Sequence, residues 1–426
     1  MKILYTDRQL GMFEELQLSA TPISEACKIL DEVLSDRNLV RELAVDIPKT
    51  VVGRNRMSAE RILRILILRH QKQLSYRSLE RQLKYDIEDR WFCLVNENVP
   101  CFKTLQNQLA LISEDTIKKI NGRVLSIARA KKITQGKRLR VDSTVTEMNI
   151  HYPTDASLIQ DGIRVIHRLI EKSGIKKISL KKLKSKLKKP FALLRTIGRR
   201  NKEVRKKMLE KIVSIGEEVV AKTKNIKNKI IAGYHALLRR VVKQGSKVLQ
   251  GITVIKDRIV SVFEPAARPI RRGKAGKSTE FGQVVQIQED EVFVTNWQIS
   301  PAKNDEAFLA QAMSRHKKLF QKAPREVATD RGYWTPENFT LLKREKVKHI
   351  SLPKKGKLDP QEKQRQRNYH FKKLQRWRAG GEAKISWLKR KFGLRRCLDK
   401  GEFSYGRWVG AGILANNLMV LTKMMT

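Results

Sequence analysis

The chain has 426 residues, of which 90 are Lys or Arg and 43 are Asp or Glu, a net charge of +47. At roughly 100–200 residues per domain this allows two to four units with real cores, and a hydrophobic share of 41% excludes wholesale disorder. So positive a chain does not suit a free enzyme of small neutral metabolites; it points to a polyanion, whether nucleic acid, ribosome or anionic membrane surface.

The membrane reading fails on the pattern. The longest apolar stretch, Trp408 to Leu421, is interrupted by Asn416 and Asn417. It falls short of the ~20 residues that a spanning helix needs. The N-terminal residues contain acids and lack an apolar signal core. Cys27, Cys93, Cys101 and Cys397 form no CxxC pair, which suits a reduced cytosolic compartment. The seven histidines do not cluster with them, so a zinc site is not expected.

Residues 1–130 read as a basic helical domain. Ser58 is placed to cap a helix whose Ile62, Ile65, Leu66 and Leu68 recur at helical spacing, and Ser75 to cap a second with Leu79 and Leu83. The aromatic pair Trp91-Phe92 precedes the breaker Asn98-Val99-Pro100. A third helix is predicted after Lys103 and a fourth after Ser113, with Glu114 and Asp115 where they suit the helix dipole. Such a bundle serves DNA contact or dimerisation.

At Gly136 the period changes. Leu139, Val141 and Val145 fall on one face, and Arg138, Arg140, Asp142, Thr144 and Thr146 on the other, which predicts a strand. Pro153-Thr154-Asp155 then opens a long helical region. Residues 171–250 carry 25 Lys and Arg against 5 Glu, a local charge of +20. Leu180, Leu183, Leu187, Ile212, Ile215, Val219 and Val220 nonetheless keep helical spacing, so two or three amphipathic helices with basic outer faces are predicted. Ordinary helical surfaces mix both signs. A face this one-sided suits DNA, with Lys181, Lys182, Lys188 and Lys189 as candidate contacts.

From Gly251 the chain turns β-rich. Phe281–Gln288 and Val292–Ile299 read as a hairpin around the acidic turn Glu289-Asp290-Glu291, after a mobile basic loop over residues 270–277. A helix is predicted near Asp305–Phe320, then a short strand Glu326–Thr329 running into Asp330. Thr335 caps the next helix with Pro336 at its first position. Lys348–Leu352 reads as a further strand, residues 353–376 as a basic, weakly structured run, and Glu382–Phe392 as the last helix, opening after Gly380-Gly381. The order describes an α/β sheet interrupted by a helical excursion.

A polyanion-binding chain that cuts phosphodiesters needs divalent metal held by hard oxygen ligands. The candidates are therefore acids on converging elements. Asp142 sits mid-strand against its propensity, and such local violations are often functional; it could equally face solvent or pair with Arg140. Asp330 ends a strand, where α/β sheets bind ligands, although a turn or helix-capping role is as simple. Glu382 shares a helix face with Ser386 and Lys389, a carboxylate with a cation two turns later; alone, it could simply satisfy a helix N-terminus.

Taken together these stretches resemble the DDE transposases of bacterial insertion sequences, which have an RNase H-like catalytic domain. Leu139-Arg-Val-Asp142-Ser-Thr-Val resembles their first catalytic strand, and Asn149-Ile-His-Tyr-Pro-Thr-Asp155 resembles the segment after that strand. Arg272-Gly-Lys274 with Glu280-Phe281-Gly282 resembles the approach to the next two strands. Asp330-Arg-Gly-Tyr333 resembles the second motif, and Arg378-x3-Glu382-x6-Lys389 the signature around the third acid. Residues 57–120, with Leu74-Ser-Tyr-Arg-Ser-Leu79, are similar to an InsH-type N-terminal domain, and the loose grouping called ISNCY is nearest in pattern.

The resemblance implies an α/β RNase H-like catalytic domain (residues 136–155 and 251–426), a helical N-terminal DNA-binding or dimerisation domain (1–130) and a large basic helical insertion after the first strand (156–250). It implies that Asp142, Asp330 and Glu382 hold two Mg²⁺ ions, with Mn²⁺ able to substitute. Water would cut the element end and the freed 3′-hydroxyl would then attack target DNA. Arg378 and Lys389 would hold phosphates near the cut, with Arg272, Lys274 and Arg331 as further DNA contacts and Ser143 and Thr144 supporting the acids. The implied partners are double-stranded DNA, as terminal inverted repeats and target, and a second copy of the chain in a paired-end complex, without membrane, in the bacterial cytoplasm at the nucleoid.

Two features depart from the pattern. The signature carries a Tyr three residues before its Arg, where this chain has Gln375; Glu402 and Asp399 are fallback third acids. The insertion lies between the first and second acids, whereas better-known relatives insert between the second and third. The alternatives are a non-catalytic, domesticated DNA-binding regulator, a structure-specific nuclease on the same fold, and an RNA-associated structural protein. A serine or tyrosine recombinase would need a nucleophile among clustered Arg and His, which the sequence lacks.

Overall fold

The computed structural model describes the chain except residues 1–2, 9–14, 16–17, 21, 49–56, 97, 176–177, 198–200, 272–278 and 301–304. It divides into two compact units, Met1–Glu147 with Gln283–Thr426, and Met148–Gly282.

The first unit begins with helices α1 (Glu25–Leu34), α2 (Arg37–Ala44), α3 (Ala59–Gln71), α4 (Tyr76–Tyr85), α5 (Ile87–Phe92), α6 (Phe102–Leu109) and α7 (Glu114–Ala130). The predicted caps form: Ser58 accepts from the Arg61 N–H, Ser75 from Ser78 and Ser113 from Thr116. Helix α3 is buried almost throughout, its charged residues Glu60, Arg64 and Arg69 included. Arg64 is held by Glu60 at 2.8 Å and by Asp31, which makes burial of the guanidinium tolerable. Strand β1 (Arg138–Glu147) comes after Gly136, whose φ of +60° favours glycine. A Cβ there would also lie 2.4 Å from the Phe320 ring.

The second unit is mainly helical. Thr154 and Ser157 form a reciprocal capping box at the start of α8 (Asp155–Lys172). Then come α9 (Lys181–Lys186), α10 (Lys188–Thr196), α11 (Lys202–Thr223) and α12 (Lys229–Leu249), so among its described residues the basic segment holds four helices after α8 rather than two or three. Its core is apolar, built from Ile159, Ile163, Ile212, Val213, Leu238 and Val242. Gly216 and Gly245 let α8, α11 and α12 approach closely, since a Cβ on them would meet Val242 at 2.7 Å and Val213 at 2.9 Å. Strand β2 (Arg268–Arg271) pairs antiparallel with Thr279–Gly282, the opening residues of β3 (Thr279–Glu289). The expected basic loop over 270–277 therefore begins inside a strand, and its remainder lies outside the described residues.

The first unit resumes with β4 (Val294–Ser300), α13 (Asp305–Phe320), β5 (Glu326–Ala328), a 3₁₀ turn (Arg331–Tyr333), α14 (Pro336–Arg344), β6 (His349–Ser351), α15 (Pro360–Arg367), α16 (Tyr369–Lys391) and α17 (Glu402–Met425). Its strands lie in the order β4–β3–β1–β5–β6. The β3/β4 pair is antiparallel, and β1/β5 and β5/β6 are parallel, a mixed sheet within an α/β unit. Leu139, Val141 and Val327 meet Phe308, Leu309 and Met313 of α13 on one face, and α16 contacts β1, β5 and β6. Both faces of β1 are thus covered, and Thr144 and Thr146 of its polar face are buried.

Three expectations are corrected. Residues 353–376 are not weakly structured: Asp359 caps α15 and Asn368 caps α16, so most of their charged residues lie on helices. Glu382 does not open a helix but lies mid-way along α16, because Gly380-Gly381 do not break it. A Cβ on Gly381 would sit 2.9 Å from Arg140 Nε, so the glycine admits that side chain under the helix. The last helix is α17, on which Trp408, Ile413, Leu414, Leu418 and Leu421 are buried. Its buried Asn417 donates to the Asn121 side chain at 2.8 Å and the Val294 carbonyl at 2.7 Å. Among the described residues no helix is long and apolar enough to cross a membrane.

Candidate active site

The two candidate aspartates follow a pair of parallel strands. Arg138, Leu139 and Arg140 pair with Glu326, Val327 and Ala328. Asp142 lies two residues past the last paired residue of β1, and Asp330 two residues past the end of β5. Both are half-buried. Asp142 Oδ1 accepts the Ser143 N–H at 2.7 Å, and Asp330 Oδ1 accepts the Gly332 N–H at 2.7 Å, capping the 3₁₀ turn. The turn-capping role expected of Asp330 is thus observed.

Helix α16 supplies the third side of the site. Gln375 reaches the ends of β5 and β6: its Nε2 donates to the Ser351 hydroxyl at 2.8 Å and to the Thr329 and Ser351 carbonyls, each at 3.2 Å. One turn on, Arg378 Nη1 stands 4.0 Å from Asp142 Oδ2, so Asp142 faces a cation of the helix rather than open solvent. Glu382 lies four residues after Arg378, on the same side of the helix, and is exposed. Lys389 is half-buried two turns beyond it. Among the described residues no three His, Cys, Asp or Glu side chains form a metal-holding group, so Glu382 is not drawn into one cluster with the aspartates.

Beneath the site lies a buried charge network that the sequence did not disclose. Arg140, on the same face of β1 as Asp142, donates through Nη2 to Glu289 and through Nη1 to the Trp377 carbonyl at 2.7 Å. Its guanidinium lies 4.9 Å from the Trp377 ring centre. Glu289 and Asp290, expected in a short acidic turn, are 4% and 1% exposed. Burial pushes the Glu289 carboxyl up, with Arg140 pulling the other way. Burial likewise raises Asp290, opposed by bonds from Thr134, Phe293 and Val292. Lys384, whose Nζ donates to the Val292 carbonyl at 3.3 Å, is pushed down by burial against the pull of Glu289. An acid run between two apolar segments was the sequence signal; in this hairpin Glu289 and Asp290 are interior anchors, and Glu291 is exposed.

The remaining candidates separate. Arg331 is exposed in the 3₁₀ turn directly after Asp330. Lys181, Lys182, Lys188 and Lys189 are exposed on α9 and α10 of the second unit, where Lys182 and Lys189 line a groove with Lys186 and Lys211. Arg272 and Lys274 lie outside the described residues. Asp399 is not a spare metal ligand: it is engaged by Arg69 at 2.6 and 3.1 Å, Arg407 at 3.6 Å and the Tyr76 hydroxyl at 3.3 Å. Burial pushes its carboxyl up, but the bonds and charge of Arg69, with Arg407 and His70, outweigh this and hold it below the usual range. Glu402 is the first residue of α17, and its side chain is outside the described set.

Residues 16–109, which contain α1 to α6, match the family model described as Transposase domain (DUF772). This supports a transposase family and, in general terms, an enzyme that cleaves DNA and transfers strands. No curated protein and no solved structure matches the chain.

Proposed function

We propose that the chain is a DDE-type transposase with an RNase H-like sheet, which cuts the ends of its own insertion sequence and joins them to target DNA. One observation carries this beyond the family match. Asp142 and Asp330 each follow by two residues the last paired residues of parallel strands β1 and β5, and α16 brings Arg378 to 4.0 Å from Asp142 with Glu382 one turn on. The mixed sheet with a hairpin on one side of β1 and parallel strands on the other supports the RNase H-like assignment.

Carboxylate oxygens suit hard divalent cations, and the Arg378 guanidinium stands 4.0 Å from Asp142 Oδ2, where it could balance phosphate. Two Mg²⁺ ions, or Mn²⁺ in their place, would supply water activation and stabilisation of the leaving 3′-oxygen. Asp142 and Asp330 would hold them from the sheet and Glu382 from α16. Arg378 and Lys389 would grip phosphates on either side of the scissile bond, and Arg331 a phosphate beyond Asp330. In the first step water adds to phosphorus and the P–O3′ bond breaks, leaving a 5′-phosphate and a 3′-hydroxyl. In the second, that hydroxyl adds to a target phosphorus and displaces its 3′-oxygen, so each step makes one bond and breaks one. The lysine groove of the second unit would hold DNA away from the cut, and two copies of the chain would pair the two element ends.

A cleavage and joining assay tests this reading, using DNA with the sequences that flank the gene and Mg²⁺ or Mn²⁺. Wild type should cut and join, and Asp142→Asn, Asp330→Asn and Glu382→Gln should each abolish both while DNA binding survives. An active Glu382→Gln would remove the third acid. Binding without cutting, on verified end sequences and with either metal, would leave a DNA-binding protein in place of an enzyme.

A further inference from the structure

The residue where the chain departs from the signature is tied into the site by its own hydrogen bonds. Gln375 Nε2 has three acceptors around it, the Thr329 carbonyl, the Ser351 carbonyl and the Ser351 hydroxyl. The Ser351 hydroxyl can accept because its own hydrogen goes to the Phe371 carbonyl at 3.1 Å. On the other side, Gln375 Oε1 takes the Arg378 Nε–H at 3.2 Å. The orientation of the amide is therefore fixed by chemistry: only the NH₂ end can meet three acceptors, and only the oxygen can meet a guanidinium donor. Thr329 and Ser351 are fully buried, and the Thr329 N–H bonds the Ser351 carbonyl at 3.1 Å, so the anchor is rigid.

We propose that Gln375 is a positioning residue, which clamps α16 to the ends of β5 and β6 and aims the Arg378 guanidinium at the phosphate held beside Asp142. Thr329 immediately precedes Asp330, so one amide fixes both the strand end that carries the second aspartate and the arginine that faces the first. A free arginine side chain has rotamer freedom to lose on gripping a phosphate. Here part of that freedom is already removed by the bond to Gln375. Glutamine suits the task because one planar group presents two donors and an acceptor; a glutamate would set a carboxylate against two carbonyls, and leucine would keep the volume but none of the bonds. The inference rests on the transposase reading for its purpose but not for its geometry.

Two measurements test it. The first needs no activity. In protein labelled with ¹⁵N-arginine, the Arg378 Nε–H signal, assigned by its absence in Arg378→Lys, should be protected from solvent exchange in wild type and lose that protection in Gln375→Leu. Unchanged protection in a folded Gln375→Leu protein overturns the clamp. The second is single-turnover cleavage at saturating DNA. Gln375→Leu should slow it about tenfold or more with DNA affinity within about twofold, and should add less than about twofold in an Arg378→Ala background, since the two side chains act as one unit. Full activity, or losses that simply multiply, overturns the proposal. If Gln375→Leu unfolds, Gln375→Ala serves, with the same two expectations. A wild type that never cuts defeats the transposase reading, while the exchange measurement still decides the clamp.

Discussion

The two units solve the problem of a chain with excess positive charge in opposite ways. The helical unit keeps its lysines outside and closes an apolar core of Ile159, Ile212, Leu238 and their neighbours. The sheet unit takes charge inside: Arg64 with Glu60, Arg69 with Asp399 and Arg140 with Glu289 are all buried ion pairs. Buried ion pairs contribute little net stability compared with apolar residues of the same shape, but removing one partner is severe. The contrast teaches where to look for chemistry. Arg140 lies two residues before Asp142, where the sheet meets its covering helix, and Arg69 holds the segment that leads into α17.

Substitutions can probe this contrast at several points. The largest expected effect is that of Asp142→Asn, which should reduce strand cleavage on the order of 10³-fold or more, because residues that act as a unit fail together. Its thermal unfolding should stay near wild type; a cleaving variant would sink the metal assignment. Next is Arg140→Met, which strands Glu289 in the interior and should cost roughly 3–5 kcal/mol in chemical denaturation. The double variant Arg140→Met with Glu289→Leu should recover most of that loss, and no recovery would show that the network does more than balance charge. In the other unit Leu238→Ala should cost about 2–5 kcal/mol for cavity and lost burial, read as earlier proteolysis within residues 148–282. The same variant should leave the exchange of Arg378 Nε–H unchanged.

The pH response should belong to the sheet unit. Burial lowers His70 to about 3, helped by Arg69 and opposed by Asp399. Burial lowers His316 to about 4, opposed by its bond to the Gly136 carbonyl. A histidine held neutral in the fold contributes stability above its ordinary pKa, which is lost as pH falls toward the depressed value, because the unfolded chain takes up the proton first. Unfolding free energy should therefore fall between about pH 6.5 and pH 4, by up to roughly 1.4 kcal/mol per unit for each histidine. His316→Gln should flatten that slope, and a slope unchanged by it would break the assignment. The smallest effect is that of Lys182→Ala, which should reduce the salt dependence of DNA binding by about one phosphate contact without altering cleavage at saturation.

Much of the local structure was legible in the sequence. Ser58, Ser75, Ser113, Thr154 and Thr335 announced helix starts through a side-chain oxygen three residues before a backbone N–H, an interaction internal to the segment. The alternation around Asp142 announced the strand, and the helical spacing of apolar residues over 180–220 announced the helical unit. Apart from the helices of residues 353–376, whose caps Asp359 and Asn368 are local, what failed depended on a distant partner. Gly380-Gly381 reads as a helix breaker, yet α16 runs through it because Arg140, far earlier in the chain, fills the space a side chain would occupy. Glu289 and Asp290 read only as an acidic turn, because their partners Arg140 and Thr134 are invisible along the segment.

The candidate site divides along the same line. Composition and motif order alone determined a strongly basic chain and named Asp142, Asp330 and Glu382 as candidates, since residue type and spacing are properties of the sequence. Only the tertiary structure decided that β1 and β5 pair in parallel just before Asp142 and Asp330, that Asp399 is engaged by Arg69 and Arg407, and that Gln375 holds Arg378 while reaching the ends of β5 and β6. Most of those contacts depend on parallel strand register or on a helix crossing the sheet. They join residues far apart in the chain, and no local pattern encodes them.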